Sequence, residues 1–84
     1  MRFALNKEQW DKLCENTDKI SSFPTTIGNF LLYFRKRNDL GNFNISFEPK
    51  SQTYCVWFDG MLEKFEDKEL ISAMFNMFCY LEEI

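Results

Sequence analysis

The spacing of apolar positions changes from helical to alternating and back along this chain, and each change marks an element. Trp10, Leu13, Cys14 and Thr17 recur at helical spacing, with Lys7, Glu8, Asp11, Lys12, Glu15 and Asp18 on the other side. Asn6 is placed to cap this helix, Gln9 completes a capping box, and Leu5 and Trp10 occupy the hydrophobic-staple positions. The pattern predicts a helix from Lys7 to about Lys19, broken by Ser21, Ser22 and Pro24. Ile27, Phe30, Leu31 and Phe34 then repeat the helical spacing behind a capping pair, Thr25-Thr26, and predict a second helix stopped near Gly41. Gly28 lowers helix propensity there, and the run "FLLYFRKR" also reads as a strand turning through Asn38 to Gly41.

From Phe43 to Phe65 the period drops to two. Asp59-Gly60 is a preferred two-residue hairpin turn, which sets Phe58 opposite Met61, Trp57 opposite Leu62, Val56 opposite Glu63, Cys55 opposite Lys64 and Tyr54 opposite Phe65. The preceding strand, Phe43 to Phe47, joins through a loop containing Pro49. A four-residue loop, Pro49 to Gln52, pairs Phe47 with Tyr54, Ile45 with Val56 and Phe43 with Phe58. A two-residue loop at Pro49-Lys50 pairs Ile45 with Tyr54 instead, and neither choice flips the faces. One face collects Phe43, Ile45, Phe47, Tyr54, Val56, Phe58, Met61 and Phe65, with Glu63 the only charge, and is expected to be the core. The other holds Asn44, Ser46, Thr53, Cys55, Lys64 and Glu66, interrupted by an apolar island of Trp57 and Leu62.

A final helix is expected from a cap at Asp67 to about Glu82. Leu70, Met74, Met77, Phe78 and Leu81 form one stripe, widened by Ile71, Phe75, Cys79 and Tyr80 until only Glu69, Ser72, Asn76 and Glu83 make a polar seam. A helix so apolar around its girth lies between a sheet and other helices, or meets a second copy in a homodimer. The fold expected is a single α+β domain over residues 1–84. One or two helices precede a three-stranded antiparallel meander and a C-terminal helix, with the helices on one face of the sheet.

Composition narrows the chemistry. Ten of the 84 residues are Phe and 45% are hydrophobic, which predicts a folded domain with a core built of rings. Met1 to Asn6 contains no apolar targeting segment and Leu70 to Leu81 is too short to span a bilayer, so a cytoplasmic protein without a membrane partner is expected. Cys14, Cys55 and Cys79 are odd in number and widely spaced, with no histidine in the chain; reduced, buried thiols are expected rather than a metal site or catalytic thiol. Without histidine no Ser-His-Asp or Cys-His arrangement exists. The carboxylates Glu63, Glu66, Asp67 and Glu69 suit a helix start, and Gly28, Gly41 and Gly60 are isolated and form no phosphate loop. No enzyme activity and no cofactor are expected.

Charge bears on the partner. Residues 1–42 hold seven Lys or Arg against five Asp or Glu, and residues 43–84 hold three against eight. The only basic run, Arg35-Lys36-Arg37, falls at a helix end where cations suit the dipole. The element order resembles that of double-stranded RNA-binding domains in topology alone, since Glu66-Asp67-Lys68-Glu69 stands where such a domain needs basic residues. Nucleic acid is therefore the secondary expectation, through Arg35, Lys36 and Arg37 or through Trp57 stacking a base beside Lys64. The primary expectation is a protein partner that docks on Trp57 and Leu62 with Lys64, Asn44 and Ser46 around them, provided that neither the second helix nor Phe3-Ala4-Leu5 covers that face. Such a protein would be an inhibitor, modulator or adaptor, and its short length suits an accessory protein of a phage or mobile element.

Overall fold

The computed structural model describes residues 1–19 and 22–84. Helix α1 spans Lys7–Cys14, α2 spans Ile27–Arg35, and a 3-10 turn at Asn38–Leu40 leads into strands β1 (Phe43–Glu48), β2 (Thr53–Phe58) and β3 (Phe65–Asp67), followed by α3 (Leu70–Glu82). The sheet is antiparallel in the order β1-β2-β3, and α3 packs across β2 and β3 with α2 beside it on the same face. The fold is α+β, with the helices on one face.

Local chemistry explains the helix limits. The Asn6 side chain accepts from the Gln9 amide at 2.8 Å while the Gln9 side chain accepts from the Asn6 amide at 3.1 Å, a complete capping box. The helix stops at Cys14 rather than near Lys19. Asn16 donates its side-chain amide to the Lys12 carbonyl at 2.8 Å, and the backbone tightens to i to i+3 bonds from Asn16 to Leu13 and Lys19 to Asn16. Such side chains compete with the helix for its own carbonyls. Of the predicted breakers, Ser21 lies outside the described residues. The ambiguous second segment is a helix, started by Thr26 Oγ1 accepting from the Asn29 amide at 3.1 Å.

The first hairpin has the four-residue loop, with Phe43 opposite Phe58, Ile45 opposite Val56 and Phe47 opposite Tyr54. The second departs from expectation by two residues: Tyr54 faces Asp67, Cys55 faces Glu66 and Val56 faces Phe65. Phe58 and Met61 are joined by a turn bond of 3.0 Å, but Asp59 and Gly60 both keep negative φ. A type I′ hairpin needs positive φ at both central residues, so the strand does not return at once. Gly60 serves a different need. Its amide donates to the Leu40 carbonyl at 2.8 Å, and a Cβ there would stand 2.9 Å from that oxygen. Gly41, at φ +84°, lies against Asp59 in the same close approach of two backbones. A shift of two preserves which side each residue faces, so Phe65 still packs against the core.

The core joins Leu13, Phe30, Phe34, Val56, Phe58 and most of α3. Rings connect the layers: Phe34 lies 4.9 Å from Phe43 and 5.7 Å from Phe58, and Phe78 lies 5.7 Å from Phe30, all within the range where aromatic pairs attract. Asp67 does not cap α3. It ends β3 and accepts the Glu69 amide at 2.9 Å, while Glu69 occupies the cap position. Ser72, expected on the polar seam, is buried and accepts from Arg2 at 2.8 Å and from Gln9 at 2.9 Å. The apolar girth of α3 is taken up by the sheet and α2, with Asn76 and Tyr80 left exposed.

Candidate functional site

The face of the sheet opposite the helices carries the even-numbered residues of β1 and the odd-numbered residues of β2. Neither segment that was a candidate to cover it does so. Ala4 pairs with Thr26, the Leu5 amide donates to Thr25 at 2.9 Å, and the Ile27 amide donates to Phe3 at 2.9 Å, which holds the N-terminal segment against the start of α2. The Arg2 amide is further tied to Glu69 Oε2 at 2.9 Å. Helix α2 lies against α3, on the core side.

A shallow depression of about 430 Å³ opens on this face, lined by Ser46, Glu48, Ser51, Thr53, Cys55, Trp57, Lys64 and Glu66. Trp57 is half-buried at one end. The two-residue shift in the second hairpin brings Lys64, not Leu62, alongside it: the Lys64 ammonium stands 4.6 Å from the indole centroid. A cation so placed is attracted by the ring quadrupole by about 0.5–1 kcal/mol at an exposed site. Leu62 is 97% exposed in the loop between Gly60 and Phe65, so the expected pair of Trp57 and Leu62 does not form. Asn44 is the cross-strand partner of Trp57, but its amide is spent locally on Asn42 O at 3.0 Å and Asp59 Oδ1 at 2.8 Å. Ser46 lines the depression as expected.

Sequence reasoning placed Thr53, Cys55 and Glu66 on this face without assigning them to the site, and missed Glu48 and Ser51. Continuing the β1 alternation from Ser46 to Glu48 would have found one of them. The Cys55 thiol is pushed up by burial and then by the Glu66 carboxylate, with Lys64 opposing, so it stays protonated and poorly nucleophilic at neutral pH. The expectation of three buried thiols holds for Cys79 but not for Cys14, which is exposed because α1 turns only its Leu13 side inward. Among the described residues no group of His, Cys, Asp or Glu is arranged to hold a metal ion, and no helix is long and apolar enough to cross a membrane.

The basic run lies elsewhere. Arg37 is held by both oxygens of Asp39 at 3.1 and 3.2 Å and donates to the Tyr33 hydroxyl at 3.2 Å, leaving Arg35 and Lys36 as its exposed cations. Tyr33 in turn donates to Glu82 at the end of α3. Burial, followed by that bond, pushes the Tyr33 phenol up to about 12. Arg37 thus belongs to a bond network that ties α2 to α3. Comparison of the chain with family models, with curated proteins and with solved structures gives no match.

Proposed function

We propose that this chain is a non-enzymatic protein-binding module whose partner docks on the open sheet face, with Trp57 as the anchor. The observation that carries the reading is a half-buried indole, capped by Lys64, on a sheet surface that no helix of the described residues covers. An aromatic bordered by polar groups has the composition of an interface hot spot. The rim supplies hydroxyls from Ser46, Ser51 and Thr53, carboxylates from Glu48 and Glu66 and one ammonium, which suits a partner surface carrying basic and amide groups. Those two carboxylates disfavour a phosphate backbone on the same face, and the Asp39 clasp on Arg37 weakens the other basic candidate. The protonated Cys55 and the absence of histidine support a role without catalysis. Three free thiols suit a reducing compartment such as the cytoplasm.

Affinity capture from host lysate, with wild type and Trp57→Ala side by side, tests the reading. A protein retained by wild type at high salt and after nuclease, and weakened by about 2 kcal/mol or more by the substitution, supports it. Capture that disappears with nuclease, or that is indifferent to Trp57, overturns it.

A further inference from the structure

We propose that β1 is the seam of a homodimer, in which two copies pair antiparallel along Phe43–Glu48 with Ile45 facing Ile45 of the second copy on the two-fold axis. The backbone geometry comes first. The Asp59 amide donates to Asn42 O at 3.0 Å in line with the β1-β2 register, so Asn44, Ser46 and Glu48 turn their backbone groups toward β2. Phe43, Ile45 and Phe47 therefore turn theirs outward. Among the described residues β1 pairs with β2 alone, and the outward N–H and C=O groups of these three residues line an open edge.

The two edges of the sheet differ in how they meet solvent. β3 is three residues long and two of them, Glu66 and Asp67, are acidic, which are common ways of blunting an edge. β1 runs six residues in unbroken register, with no proline, lysine or bulge and with its one charge at the last position. Its side chains are unfinished as well. Ile45 and Phe47 point to the helix side of the sheet yet stay 45% and 49% exposed, because α3 lies over β2 and β3.

The strand is complementary to itself. Centring an antiparallel pair on Ile45 is the one register in which all three outward residues of each copy find a partner: Phe43 with Phe47, Ile45 with Ile45, and Phe47 with Phe43. Each facing pair exchanges two backbone bonds. Every pair on the helix side is then apolar, Asn44 meets Ser46 on the other side, and Glu48 meets Asn42 with no like charges opposed. The product is a six-stranded sheet with isologous symmetry, and it leaves Trp57 uncovered, so the dimer stands or falls separately from the proposed partner site.

Sedimentation of the full chain tests this. Wild type is expected at twice the monomer mass, and Trp57→Ala likewise. Ile45→Lys places two ammonium groups face to face and is expected to weaken dimerisation by about tenfold or more, with its circular dichroism unchanged. In a Cys14→Ser, Cys55→Ser background, Ile45→Cys should oxidise to a covalent dimer, because facing Cα atoms about 5.5 Å apart suit a disulfide, and Asn44→Cys should not. A wild type that stays monomeric at the highest concentration reached overturns the proposal. So does a dimer that survives in folded Ile45→Lys, or an Ile45→Cys chain that fails to cross-link. If Ile45→Lys does not fold, the cross-linking result decides.

Discussion

Val56 and Ile45 are cross-strand partners pointing to the same side of one sheet, yet Val56 is fully buried and Ile45 is 45% exposed. Phe58 and Phe47, on the same two strands, repeat the contrast at 1% and 49%. Alternation decides which side a residue faces; the width of the layer above decides whether it is covered. Helix α3 covers β2 and β3, α2 adds Phe34 over Phe43 and Phe58, and the far half of β1 extends beyond both.

Substitutions can break this contrast in order of expected effect. Phe58→Ala should cost about 3–5 kcal/mol in urea unfolding, whereas Phe47→Ala, whose ring meets Tyr54 at 4.9 Å but has open space beside it, should cost about 1 kcal/mol. Similar losses at the two positions, at a concentration where the chain is monomeric, would mean that a helix covers β1 after all. Next comes Gly60→Ala, expected to lose about 1–3 kcal/mol because the new methyl meets the Leu40 carbonyl rather than a side chain able to move. A neutral result would mean that the Leu40 carbonyl does not approach Gly60 so closely.

The bond network between α2 and α3 gives a smaller effect with a pH signature. The Tyr33 phenol is raised in the folded state to about 12 from an ordinary value of 10.0. Between those values the native state keeps a proton that the unfolded state has lost, so stability is fully present below pH 10 and falls as the pH rises toward 12. Tyr33→Phe should remove that Tyr33-linked part of the alkaline loss and cost about 1 kcal/mol at neutral pH through its bond to Glu82. Thermal unfolding of both proteins across this range checks the sign.

Much of the fold is legible without coordinates, for physical reasons that also explain the misses. The capping box at Asn6, the helical period from Ile27 and the alternation through β1 and β2 are local signals, and each produced its element. Apart from the early end of α1, the misses came where a distant segment intervened. Gly60 reads as a hairpin glycine until Leu40 is brought against it, and Asp67 reads as a helix cap until β3 takes it into the ladder opposite Tyr54. Ser72 reads as solvated until Arg2 and Gln9 arrive from residues far away in the chain. At the candidate site, Trp57, Ser46 and Lys64 were assigned to the right face by period alone. The neighbour over the indole was not, since a two-residue slip keeps every face while changing every partner.

The most direct test compares two adjacent rings of β2. Urea unfolding of Trp57→Ala and Phe58→Ala is expected to give a loss of about 1 kcal/mol for the indole, mostly its β preference and the Lys64 contact, against about 3–5 kcal/mol for the phenylalanine. Equal, large losses would put Trp57 in the core and contradict the open binding face.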